Sequence, residues 1–278
     1  MQDAFAYCAE LVRTADRDRF IAALFAPAER RGALHALYAF NSEVARVRDV
    51  AREALPGEIR LQWWTEVLSG ERSEEAQANP GASALLATLD RYRLPRIQLV
   101  DLIEARRFDL YDDPMASLTD LEQYARKTSS ALFGLATQIL AGAEADAVAA
   151  PAGVAYAIAG LLRAFPLHAA RGQLYVPAEF LDRHGVRPHD VFAGRASPGL
   201  QAALAELRNL ARTHLARAHE HMAALPREAL PALLPVALVR PTLKRLERSD
   251  PFAPKQISAW RRQWLIWRAA RNPARITG

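Results

Sequence analysis

Cysteine is nearly missing from this chain: Cys8 is the one thiol in 278 residues. That excludes an internal disulfide framework and any cysteine-held metal cluster, and it fits a reducing, cytoplasmic setting. Alternating polar and apolar runs are also missing, while apolar residues recur at spacings of three and four, so the expected class is all-α. No basic, apolar and small-residue leader opens the sequence. No apolar run approaches the ~18 residues that cross a bilayer, so the expectation is a soluble or peripherally attached protein, cytoplasmic or at the inner face of a membrane. Nothing resembles a low-complexity linker, and a single domain over 1–278 is expected. Only the two termini and Glu71 to Pro80 read as loose.

The absences extend to chemistry. There is no nucleophile-elbow glycine pattern, which argues against a hydrolase. His214, Glu220 and His221 lie on a helical pattern with the histidines seven apart, better read as a solvated face than as a metal site. Lys+Arg 36 against Asp+Glu 31 gives a net charge of +5, mild and scattered. No aromatic platform or binding motif accompanies it, so nucleic acid is not an expected partner, whereas anionic lipid or a phosphorylated ligand is compatible with the charge.

What is present is helix. Hydrophobic residues make up 51% of the chain, enough for a large core. Helices are expected over Asp3–Thr14 and Arg19–Ala26, then from Pro27 to about Ala54, with Pro56-Gly57 breaking the chain before Glu58–Leu68. Further helices are expected over Ala82–Tyr92 and from Pro95 to about Asp112. The next opens on the cap-type residues after Ser117 and reaches about Ala141. Ala145–Phe165 is expected to stop at Pro166, Leu174–Val176 to be extended, and Ala178–His184 to be a short helix. Gly199–Ala224, Arg227–Arg248 and Pro254–Arg271 complete the pattern. In the last of these, Trp260, Trp264 and Trp267 line one face, which is read first as closing the core and otherwise as a membrane or partner face.

One stretch carries more than periodicity. Leu162, Arg163, Arg171, Gly172, Tyr175 and Pro177, in GLLRAFPLHAARGQLYVP, fit without a gap an active-site segment of the squalene/phytoene synthase family, which this chain resembles. PAERRGALHALYAFN, GEIRLQWW, SLTDLEQYARKTSSALFGLA and the closing WRRQWLIWRA extend the likeness over most of the chain. The resemblance implies a single isoprenoid-synthase-like helical bundle around a central cavity. In that family, two acidic motifs on facing helices hold Mg²⁺ for the diphosphate of an isoprenoid substrate. Here the first motif falls on Ala45, Arg46 and Asp49 and the second on Ala164 and His168, so one of five carboxylates survives. Arg46 and Arg48 bring cations where metal should be. Asp109, Asp112 and Asp113 are read as solvated helix-end residues.

Phe40, Asn41, Glu43, Ala45 and Val47, with Arg60, Gln62 and Trp64, look like an acid-poor branch of the family that includes a mitochondrial assembly factor of respiratory complex I. The resemblance therefore implies a non-catalytic protein without a cofactor, assisting assembly of a membrane complex with a subunit or assembly factor as partner. An isoprenoid or anionic lipid is a further candidate ligand. The alternative is a head-to-head prenyltransferase, which would need Mg²⁺. Arg46, Arg163, His168 and Arg171 are the candidate anion-binding set, with no catalytic or metal residue assigned.

Overall fold

The computed structural model describes residues 1–51, 53–142, 145–254 and 256–278. Helix α1 (Gln2–Ala15) runs into α2 (Arg17–Ala23), with Asp16 between them capping α2 by accepting from the Arg19 amide. The helix expected over Asp3–Thr14 is present and begins one residue earlier, at Gln2, so little of the N-terminus is left loose. Helix α3 (Ala28–Ala45) is buried along most of its length from Ala33 to Val44. It stops at Arg46, and a single turn, α4 (Val47–Val50), follows.

The next helix, α5 (Ala54–Ser69), begins ahead of Pro56-Gly57 rather than after it. Both residues sit in the first turn, where a proline's missing N–H has no intrahelical acceptor to lose. Ser73–Ala78 forms α6, with Ala76 fully buried, in the stretch expected to be loose. Helices α7 (Pro80–Tyr92) and α8 (Arg96–Arg107) follow. Ser117 then opens α9 (Leu118–Ala125) through a full capping box with Asp120. A π-turn over Arg126–Ser130 links α9 to α10 (Ala131–Ala141).

Helix α11 (Asp146–Ala170) is the centre of the molecule and continues through both Pro151 and Pro166. The expected stop at Pro166 does not occur. The proline forfeits one bond, to the Leu162 carbonyl, near the helix end, and α11 is held by packing against α10, α14 (Pro198–His221) and α16 (Val239–Leu246). Its length and composition would allow it to cross a bilayer, contrary to the sequence expectation, but 61% of that stretch is buried inside the protein. Gly153 permits the closest approach: a Cβ there would lie 2.3 Å from the Ser130 Cα, so the π-turn can press directly on α11.

After α11, Gly172 at φ +74° turns the chain. Leu174 to Val176 runs extended, pinned on either side of Met115 by Met115 N–H to Leu174 O (2.9 Å) and Ala178 N–H to Met115 O (2.8 Å). Helices α12 (Ala178–Arg183) and α13 (Pro188–Phe192) lead to α14. The long helix expected over 227–248 is broken by Pro231 and Pro235 into 3₁₀ turns and the short α15 (Leu230–Leu233) before α16. Helices α17 (Ala259–Arg271) and α18 (Ala274–Thr277) close the chain. The expected start of α17 at Pro254 moves to Ala259, and Lys255 within that expected span lies outside the described residues. Among the described residues there is no β-strand.

Candidate functional site

A cleft of about 830 Å³ opens between α1, α2, α3, α11 and α17. Ala45, Arg46 and Asp49 from the end of α3 and from α4 face Ala164 and His168 from α11 across it, so all five motif positions line one space. Arg163 lines it as well. Arg48 does not: it turns away, donating to the Leu110 carbonyl at 2.6 Å and to Asp112 at 2.8 Å. The expectation that Arg48 occupies metal space is corrected by these two bonds.

The charge inventory of the cleft is one-sided. Three aspartates line it, and each is held by an arginine: Asp16 by Arg19 at 2.5 Å, Asp18 by Arg262 at 2.9 Å, and Asp49 by Arg171 at 2.6 Å. Arg17, Arg46 and Arg163 also line it and have no carboxylate within ion-pair distance among the described residues. Arg19 is further enclosed by the rings of Tyr38, Phe133 and Tyr156, at 5.0–5.7 Å.

His168 contributes no charge at neutral pH. Burial pulls its pKa down to about 4, with Asp109 opposing and Arg171 reinforcing the shift. Arg171 is occupied by Asp49. Of the four expected anion-binding residues, therefore, Arg46 and Arg163 supply uncompensated charge, and Arg17 joins them. The run Thr-Ala-Asp-Arg-Asp-Arg-Phe at 14–20 matches no motif and escapes a reading of the sequence. Four successive charges between two apolar helical patterns are its visible signal.

Below the cleft sits a buried polar cluster. Asp109, 5% exposed, accepts from Tyr175 Oη at 2.6 Å, Tyr124 Oη at 2.8 Å and Arg106 Nη1 at 3.0 Å. Gln173 Nε2 donates to the Asp109 carbonyl at 2.7 Å, and the His168 ring lies 4.6 Å from that of Tyr175. Burial, and then the neighbouring Asp109 charge, push the Tyr175 hydroxyl well above its ordinary pKa. The reading of Asp109 as a solvated helix-end residue is corrected: it lies in a 3₁₀ turn after α8 and organises this cluster. Beside His168 and Tyr175, an apolar recess lined by Leu121, Ile158, Leu161, Leu162, Phe165 and Leu207 has a volume of only about 10 Å³, room for about one water.

His214, considered as a metal ligand, is buried and bonded through Nε2 to Glu122 at 2.9 Å. Glu43 faces away from the cleft arginines and pairs with Arg60 at 3.5 Å.

The squalene/phytoene synthase profile matches residues 12–268, and the chain belongs to that family. It is 31% identical over 250 residues to a rat (Rattus norvegicus) protein named NADH dehydrogenase (ubiquinone) complex I, assembly factor 6, covering 89% of this chain and 75% of the rat protein. It is 27% identical to the presqualene diphosphate synthase of Sinorhizobium fredii, over 74% of each. The fold superimposes on a ligand-bound dehydrosqualene synthase with a TM-score of 0.81 at 19% identity, covering 96% of this chain and 95% of the other.

The cation that the family resemblance implies is Mg²⁺, and the donor set of this cleft does not fit it. A hard dication needs several free carboxylate oxygens. The one surviving motif acid, Asp49, is engaged by Arg171, with uncompensated Arg46 and Arg163 in the same cleft. No group of three or more metal-ligating side chains occurs among the described residues.

Proposed function

We propose that this chain is a non-condensing member of the squalene/phytoene synthase family that assists assembly of a respiratory membrane complex of the NADH dehydrogenase type. The observation that carries the reading is the exchange of charge in the cleft. Where metal-holding acids would stand there are two alanines, a neutral histidine and Arg46, and the remaining acid is spent on Arg171. The likeness to named assembly factors supports the second half of the reading.

In this reading the cleft binds without metal. Arg17, Arg46 and Arg163 attract an anion directly, through guanidinium N–H groups that match phosphate or carboxylate oxygens. A phosphorylated small molecule and an acidic side chain of a client subunit share that chemistry.

The test has two arms. Purified protein given Mg²⁺ with farnesyl or geranylgeranyl diphosphate is expected to form no squalene or phytoene; robust product formation returns the chain to the head-to-head prenyltransferases. Deletion in the source organism is expected to lower assembled NADH dehydrogenase. Rescue is expected from the wild-type gene but not from one encoding Arg46→Glu with Arg163→Glu. Unchanged complex content on deletion would overturn the assembly role.

A further inference from the structure

Helix α17 packs its Ile266 and Ala269 into the core and turns its tryptophans outward, which corrects the expectation that they close the core. Trp260 is 70% exposed, Trp264 43% and Trp267 45%. Their spacing of four and three puts them on one stripe, and Arg271, four after Trp267, continues it. Across a groove of about 470 Å³, Trp267 meets Leu24 and Phe25 at the end of α2, both also exposed. Monomeric proteins seldom leave that much aromatic surface in water without a use.

The charge on this face has one sign. Helix α17 contains Arg261, Arg262, Arg268 and Arg271 and no acid. Arg262 is spent on Asp18, but Arg261, Arg268 and Arg271 have no carboxylate partner among the described residues. Arg268 lies over the Trp264 ring at 4.3 Å and Arg271 over Trp267 at 4.8 Å. Each pair presents an indole and a guanidinium at the same level.

From this juxtaposition we propose that the Trp260–Trp264–Trp267 face of α17, with Leu24 and Phe25, docks the protein on an anionic lipid surface. Indoles settle at headgroup depth, where one end of the ring is apolar and the other wet, and adjacent arginines reach lipid phosphates. The unpaired arginines select negative headgroups over neutral ones. The face also borders the cleft, because Arg17, Ile21 and Gln263 line both the cleft and the groove beneath Trp267. Docking would thus bring the cleft mouth toward the lipid surface. It depends on the exposure and charge of α17 and not on what the cleft binds.

The test is flotation of the full chain with phosphatidylcholine vesicles with and without phosphatidylglycerol. Binding is expected to the anionic vesicles alone, weakened by salt. Trp264→Ala with Trp267→Ala is expected to lower partitioning by about tenfold, as is Arg268→Gln with Arg271→Gln. Both variants are expected to keep the wild-type melting temperature, since these side chains are outside the core. Equal binding to neutral vesicles, or binding unchanged in both variants, overturns the proposal. Absence of binding to either vesicle also overturns it and leaves an acidic protein surface as the occupant.

Discussion

Arg171 Nη1 donates to Asp49 Oδ1 at 2.6 Å, joining the end of α11 to the single turn α4 that follows α3. Both side chains are more than a third exposed, so water screens the pair. Arg171→Ala is expected to cost no more than about 1 kcal/mol in urea unfolding. A loss of several kcal/mol would mean that the pair acts as a structural clamp.

The Asp109 cluster should behave in the opposite way. Removing this buried carboxylate leaves Arg106 without its counter-charge and Tyr124 and Tyr175 without an acceptor. Asp109→Ala is expected to lose about 3–5 kcal/mol, whereas Asp112→Ala, at an exposed pair with Arg48, is expected to lose about 1 kcal/mol or less. Paired denaturant curves compare the two, and equal losses would refute the assignment of Asp109 as the organising acid.

Two glycines of α11 separate packing from conformational entropy. Gly153→Ala drives a methyl into the Ser130 backbone and is expected to destabilise by about 1–3 kcal/mol or more. At Gly160 a methyl would meet no atom within 4 Å, and the residue occupies a helix interior, so Gly160→Ala is expected to stabilise by about 0.5–1 kcal/mol. Thermal melting of the two variants should move in opposite directions.

His168 and His35 are both held down to about 4 by burial, from an ordinary value of 6.5. Between these values the unfolded chain binds protons that the folded chain refuses. Their contribution to stability is therefore complete above about pH 6.5 and is lost as pH falls toward 4. His168→Asn and His35→Asn are each expected to flatten the fall in stability over that window relative to wild type. Parallel curves for wild type and both variants would show that neither imidazole titrates with unfolding.

Much of this architecture is legible in the sequence because it rests on local chemistry. Ser117 and Asp120 form the capping box their spacing suggests, and Leu37 to Phe40 leads the first motif to the cleft wall. Proline is the less dependable signal. Pro56 falls where no hydrogen bond is at stake, and Pro166 loses one bond in a helix fixed by its neighbours, so neither ends an element. Pro231 and Pro235, four apart, do fragment the chain. The Trp stripe is legible but its exposure is not, and Asp109 is misplaced for the same reason: periodicity identifies a stripe or a helix end but not which neighbour covers it. The DRDR run needs the fold, since its role depends on Arg262 from the far end of the chain.

The recess beside Tyr175 bears on what kind of recognition remains. A space of about 10 Å³ among Leu121, Ile158 and Phe165 cannot dissolve a hydrocarbon tail. This recess therefore forms no slot that could select a substrate by chain length. The open cleft beside it instead presents the guanidinium groups of Arg17, Arg46 and Arg163, so carboxylates reinstated at Ala164 and His168 would share their space with these cations.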